Sequence, residues 1–276
     1  METLYGRVTI DFDKRDSTLI VDAPQGCVVE RSRYARPREQ WAAHLLPLYP
    51  ICTNGEVDYS LFDYSSCYDP QLPGLWVGGS TLHDGVFGNK YEGFHLRPGV
   101  WRKMEFGFTF LQVSRNLYRG VFGISTALQF AIENYQLHRD VVAKRKGDKT
   151  EFVPSGEKLR ENYINNFSVR IPLLLGVQTR SRVLSLQTGI ILHGDRLTYR
   201  NRYPDEKESV GQPFHGYHFR ASYTAIAAIG PVTLSFTQSL VPLFQLTNGV
   251  KAYPSSLSLG IDLWYWNRRF FRERKR

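Results

Sequence analysis

Cysteine, methionine and long apolar runs are scarce in this sequence. Three cysteines in 276 residues, an odd count with no CxxC spacing, exclude a zinc framework or a paired redox motif. Cys52 and Cys67 are left either to bridge in an oxidising compartment or, with Cys27, to remain thiols. No uninterrupted apolar stretch approaches the ~18 residues of a spanning helix, which excludes a helical membrane protein but not one that crosses with strands. No Walker loop, GxSxG or HExxH motif is present, and the glycine-rich GGSTLHDG beginning at Gly78 lacks the lysine and following helix of a phosphate loop. METLYGRVTIDFD shows no basic start followed by an apolar segment, so no secretory leader is visible. No solenoid repeat and no Gly/Ser linker divides the chain.

Aromatic residues are abundant: 17 Phe, 16 Tyr and 5 Trp make up 14% of the chain, within an apolar share of 42%. That composition excludes disorder. The formal charge is +9, but the terminal NRRFFRERKR alone contributes +5, leaving the remainder only mildly basic. A nucleic-acid partner is therefore not expected.

Character changes near residue 70. The preceding segment offers strand-like pieces (LYGRVTIDF, STLIVD, CVVE), a short helix expected at REQWAAHLL after Pro37, and a turn-rich stretch through Pro70. From Leu72 onward the pattern is a series of alternating segments, the period of strands with two different faces. In NFSVRIPLLLGVQ, Phe167, Val169, Ile171, Leu173, Leu175 and Val177 oppose Ser168, Arg170, Gly176 and Gln178. In SLSLGIDLWY, Leu257, Leu259, Ile261, Leu263 and Tyr265 oppose Ser256, Ser258, Gly260 and Asp262. Five further segments split the same way, among them Phe122 to Glu133, Leu184 to His193 and Tyr217 to Ile229. Leu75 to Val86 supplies a weaker eighth.

Volume decides which face points inward. An eight-stranded barrel has an interior just wide enough to be filled by side chains, and the Gly, Ser, Ala and Thr face fits it whereas the bulky face overfills it. The apolar face is then outside, untenable in water and required in lipid. A soluble sandwich or lipocalin-like barrel is the alternative, with the apolar face as its core. Connections alternate between short (Ser114 to Arg119, Thr179 to Ser181, Gly230–Pro231) and long (His138 to Tyr163, Arg200 to Pro213, Thr247 to Pro254), the outer-membrane pattern. The first long connection, dense in charges of both signs, reads as a solvated mobile loop. Tyr118, Tyr135, Tyr163, Tyr199, Phe244, Tyr253 and Trp266 near strand ends fit interfacial girdles.

From about Leu75 to Trp266 the chain resembles the porin-like outer-membrane β-barrel proteins of Bacteroidota. The segments that carry the resemblance are NNFSVRIPLLLGVQ, FRASYTAIAAIGPVTLSFTQSLVPLF and KAYPSSLSLGIDLWYW. The resemblance implies an exported eight-stranded barrel. The last segment also looks like the assembly signal of such barrels, carried by Ser258, Gly260, Leu263 and Tyr265, although ten residues follow Trp266 where that signal normally ends the chain.

On the inward face, Lys103, Glu105, Glu133, Arg170, Arg220 and Asp262 nearly balance in sign. Buried charges must pair, so a salt-bridged, side-chain-filled lumen is expected, with no catalytic residue, metal or cofactor. The alternative chemistry places His218 and Ser222 on one lumen face beside His193, as in a lipid-modifying acyl-transfer or hydrolytic enzyme.

The expectation is thus an all-β, eight-stranded antiparallel transmembrane β-barrel over 72–266 in the outer membrane. It is preceded by a small, mainly-β periplasmic segment of unknown role (1–71) and followed by a basic tail (267–276). Its role is structural, adhesive or in interaction with another protein, not that of a wide diffusion pore. Its partners are outer-membrane lipid, the barrel-assembly machinery during biogenesis, and a surface or periplasmic protein.

Overall fold

The computed structural model of the chain describes backbone and side chains for Tyr68 and for residues 70–265 apart from 100, 119, 180, 182 and 204–215; for Val100, Ser209–Gly211 and six short strands within the first 50 residues it describes the backbone alone. Two compact units result, Met1–Gln40 and Trp41–Arg276. In the first, Gly6–Asp13, Asp16–Ala23 and Gly26–Arg31 form an antiparallel meander with Glu2–Thr3 on its edge. The strand-like pieces of the sequence lie on these strands. Cys27 lies on the third of them, and Cys52 and Cys67 fall outside the described residues, as do Trp266 and the basic tail.

The second unit is built on eight strands: β1 (Leu75–His83), β2 (Lys103–Tyr118), β3 (Phe122–Gln136), β4 (Glu161–Gln178), β5 (Leu184–Arg202), β6 (Phe219–Ile229), β7 (Val232–Ser239) and β8 (Lys251–Ile261). Each pairs antiparallel with the next, and β8 pairs with β1, so the sheet closes into a barrel. Closure removes every free strand edge. Among the described residues there is no α-helix, and no helix is long and apolar enough to cross a membrane.

The alternation maps onto the wall strand by strand. Leu173 is 52% exposed and Leu259 58%, while Leu174, Ser168 and Ser258 on the opposite parity are buried. The barrel's outer surface is therefore apolar and its inner surface is made of small and polar residues. Two local breaks keep the pattern in phase. A bulge at Phe110 shifts the β2–β3 register between Thr109 and Leu111, so that inward positions resume at Gln112 and Ser114. At Pro172, which has no N–H to give, the β3–β4 pairing lapses between Arg170 and Leu173.

Short turns gather at one end of the barrel and long connections at the other. Gly230–Pro231 joins β6 to β7 with Gly230 at φ +57, a conformation glycine adopts without strain. At the long-loop end the inward-pointing Leu82, Tyr135, Ile164 and Tyr199 meet Phe94, Leu137, Leu159, Leu243 and Phe244 from the loops in one apolar cluster that stops the mouth. The connection expected to be solvated and mobile belongs to this cap. Its hairpin, Val141–Lys146 with Lys149–Pro154, buries Val142 and Ala143 and leaves Lys144, Arg145 and Lys146 exposed.

At the short-turn end the chain enters the lumen before it joins the wall. Tyr68, Gln71 and Leu72 are buried there, and wall side chains satisfy the carbonyls of the inner segment. Ser114 Oγ donates to the Tyr68 carbonyl (3.0 Å), Gln112 Nε2 to that of Pro70 (2.9 Å), Gln187 Nε2 to that of Gln71 (2.9 Å) and Thr109 Oγ1 to that of Pro73 (2.6 Å). Where this segment leaves the wall position beside β2, the strand Trp41–Leu45 takes over, pairing with Leu111–Arg115. The helix expected at REQWAAHLL is thus a strand over Trp41–Leu45, because an unpaired stretch of β2 backbone offers more hydrogen bonds than an isolated helical turn retains.

Two other expectations are corrected. Tyr135, Tyr199 and Phe244 are buried in the cap and form no girdle, since Tyr135 and Tyr199 share the parity of the inward residues. The last strand ends at Ile261, where Asp262 Oδ1 accepts from the Trp264 backbone N–H (3.0 Å) and turns the chain. Leu263 and Tyr265 therefore lie off the strand, whereas Ser258 and Gly260 lie on it facing inward.

A side chain at Gly123 would fall on the Tyr68 ring and on the Arg115 carbonyl. Gly123→Val is expected to lower unfolding free energy by about 1–3 kcal/mol in a denaturant titration. Tyr68→Ala in the same chain should recover part of the loss by removing the aromatic half of the clash; no recovery would place Tyr68 elsewhere.

Candidate functional site

Midway along the lumen, five adjacent strands each turn a charged residue inward: Glu105 from β2, Glu133 from β3, Arg170 from β4, Asp195 from β5 and Arg220 from β6. All are at most 6% exposed. The facing arc, on β7 and β8, carries Thr233, Ser235, Ser256 and Ser258, with the Ser235 and Ser258 hydroxyls 2.7 Å apart. Long side chains on one arc and short hydroxyls on the other are what a narrow interior accommodates.

Strand register places Glu105 directly opposite Glu133, an arrangement that repels. Arg170 resolves it by bridging both carboxylates, with Nη1 2.5 Å from Glu105 Oε1 and Nη2 2.7 Å from Glu133 Oε1. Arg220 continues the chain, its Nε 2.7 Å from Asp195 Oδ2 and its Nη2 3.2 Å from Glu133 Oε1. Neutral donors complete the set. Trp76 Nε1 gives to Glu105 (2.9 Å), Tyr135 Oη to Glu133 (3.1 Å), and Asn166 Nδ2 to both Glu133 (3.1 Å) and Asp195 (3.0 Å). Glu133 is the hub, accepting from two arginines, an asparagine and a tyrosine.

Of the six charges expected to line the lumen, four sit in this network. Lys103 stands half-buried at the rim and makes no ion pair among the described residues, and Asp262 caps the turn at the opposite end. Asp195 and Asn166 belong to the network without having been singled out in the sequence. Asp195 follows His193 by two on the same strand, so one further step of the alternation reaches it.

The histidine-serine constellation does not assemble on one face. His193 and Ser222 are buried in the lumen, but His218 is exposed at the rim, its ring nitrogen 3.4 Å from the Asp195 carbonyl. His193 Nδ1 lies 3.2 Å from Ser168 Oγ, while His193 Nε2 and Ser222 Oγ have no hydrogen-bond partner among the described residues. Both border a polar cavity shared with Glu133, Arg220 and Thr237, with room for about one water molecule. Among the described residues no group of three His, Cys, Asp or Glu side chains is placed to hold a metal ion.

Truncating one guanidinium leaves a buried carboxylate without its counter-charge. Arg170→Met and Arg220→Met should each cost about 3–5 kcal/mol, and Glu105→Gln added to Arg170→Met should restore part of it. Two single variants as stable as the parent chain would mean a hydrated lumen.

Comparison with protein-family models and with curated proteins finds no match for the chain, so the reading of this site rests on its geometry.

Proposed function

We propose that this chain is an integral outer-membrane β-barrel of the porin-like kind resembled by its strands, with a structural, adhesive or interaction role and a lumen that conducts nothing. The observation that carries the reading is the outer surface of the closed barrel. Leu173, Leu175, Leu186, Ile190, Leu192, Leu234, Leu257 and Leu259 are each near half exposed around the wall, an apolar area far beyond what a monomer presents to water and suited to lipid contact. The filled lumen supports a role at the surface in place of solute passage. A catalytic role in lipid modification draws no support from the rim position of His218. Lipid, the assembly machinery and a surface or periplasmic protein are the partners this reading requires.

On this reading the short turns and both ends of the barrel face the periplasm, and the long connections face outward. Two measurements test it. Leu173→Arg should cost about 2–4 kcal/mol in a vesicle-inserted chain and Tyr163→Arg about 0–1; equal costs would mean that this face meets protein instead of lipid. Trypsin added to intact cells should cut at Lys144, Arg145 and Lys146, which flank the exposed hairpin turn, and spare the C-terminal arginines until the cells are opened. Loss of the tail with an intact hairpin would reverse the topology.

A further inference from the structure

Three arginines stand apart from the molecule's other cations. Arg97, Arg139 and Arg160 line a polar groove of about 370 Å³ on the outside of the wall, with Gln136, Glu161 and Tyr163 as its neighbouring surfaces. That volume lies within the roughly 300–1,000 Å³ of small-molecule sites. The three come from separate stretches of chain, and backbone hydrogen bonds fix each in place. Arg97 N–H donates to the Gln136 carbonyl (2.9 Å), the Arg139 carbonyl accepts from Leu159 (2.8 Å) and Arg160 N–H donates to the Arg202 carbonyl (2.8 Å).

Among the described residues none of the three guanidiniums makes an ion pair or a hydrogen bond, although Glu161 borders the same groove. Partial burial and repulsion from Arg102 and Arg139 hold Arg97 below an arginine's ordinary value. The cluster thus concentrates positive charge that forms no ion pair among the described residues. Beside it, Arg200 donates to Tyr163 Oη (2.8 Å) and lies 5.7 Å over that ring.

Its height on the wall selects the ligand. Descending the β3–β4 pair from the groove, the outward rows read Gln136 with Tyr163, Asn134 with Asn165, then Ile132 with Phe167, where the apolar belt begins. Four residues of strand are about 13 Å, or about 10 Å of height at a tilt near 40°, which carries the groove from the edge of the hydrocarbon across the headgroup layer, about 5–7.5 Å deep on each side, to its outer margin. The outward-facing Asn134, Gln136 and Tyr163 of the wall form the floor of the groove, and the three arginines stand at its loop end.

We propose that this groove holds the phosphate of an anionic lipid in the leaflet on the long-loop side, with the Arg97, Arg139 and Arg160 guanidiniums as its hydrogen-bond donors. Guanidinium and phosphate match as a two-point, charge-assisted pair, and the acyl chains of such a lipid descend directly onto the Ile132 and Phe167 belt. The proposal rests on the outer-membrane reading, and the experiment separates the two.

The full-length chain is inserted into phosphatidylcholine vesicles, with insertion read by flotation, and then into phosphatidylcholine containing phosphatidic acid. Native mass spectrometry counts the phosphatidic acid retained. The parent chain should retain at least one molecule. R97Q/R139Q/R160Q should reduce retention by about tenfold or more, equivalent to about 1.4 kcal/mol. K144Q/R145Q/K146Q, which removes the same charge from the exposed hairpin, should retain as much as the parent. Equal loss in both triple variants, or no loss in the first, overturns the site. Displacement of the lipid by millimolar inorganic phosphate overturns the lipid as its source in favour of a free anion. A chain that does not float even with pure phosphatidylcholine overturns the outer-membrane reading and this proposal with it, whereas one that floats without retaining phosphatidic acid overturns this proposal alone.

Discussion

Glu105 and Glu133 face each other across two neighbouring strands in an interior too narrow to hydrate either, and the Arg170 guanidinium that spans both carboxylates is what makes the arrangement possible. The rest of the lumen follows from that bridge. Arg170, whose register partner on β3 is Gln129, reaches four residues along that strand to Glu133, which ties the β3–β4 register just before Pro172 interrupts the ladder. Glu133, once shared with Arg220, draws Asp195 and Asn166 into the same belt. Three carboxylates against two guanidiniums leave the site short of positive charge, and Trp76, Tyr135 and Asn166 add neutral donors, although Glu105 Oε2 and Arg170 Nε find no partner among the described residues. A buried network of this kind adds little net stability over an apolar filling, but it tolerates few alternative registers.

The two ends of the barrel close by different physics. At the long-loop end an apolar cluster gathers inward side chains and loop residues, and closure there depends on area removed from water. At the short-turn end a stretch of backbone enters the lumen, and the carbonyls of Tyr68, Pro70, Gln71 and Pro73 are met by wall amides or hydroxyls, the pairing that buried backbone requires. Gly123 and Gly107 make room for Tyr68 and Trp76 in a wall otherwise built to full thickness. An apolar cap, a polar middle and an inserted backbone segment fill much of a cylinder whose sheet has the strand number of the smallest membrane barrels.

Much of the wall was legible in the sequence because its signal is a strict two-residue period. Phe167 through Val177 and Leu257 through Ile261 needed only that period and a volume argument to be placed outside. Arg170, Arg220, Glu105 and Glu133 followed from the same parity. The misses share a cause, namely contacts between residues far apart in the chain. Nothing local in WAAHL announces the unpaired stretch of β2 that captures it as a strand, and nothing in the residues from Tyr68 to Pro73 announces the glycines that receive them. Tyr135 and Tyr199 were readable by parity as inward residues, but proximity to a strand end pointed to an interfacial role. Asp262 ends β8 through a side-chain contact with Trp264, which alternation alone continues past.

The groove on the wall and the network in the lumen answer the same electrostatic requirement in opposite ways. Inside, Arg170 and Arg220 are each paired with two carboxylates of the same chain. Outside, at the height where the belt turns polar, Arg97, Arg139 and Arg160 are held in place by backbone hydrogen bonds and, among the described residues, form no ion pair, even with Glu161 in the same groove. Fixing three like charges together is unfavourable unless an anion comes from the surroundings. Solvent counter-ions can screen exposed guanidiniums, but a bilayer surface offers phosphate groups at high local concentration and at a fixed height. On the outer-membrane reading, the placement of these arginines at the end of the β3–β4 pair gives a repulsive cluster the anion that would offset it, at one fixed height on the wall.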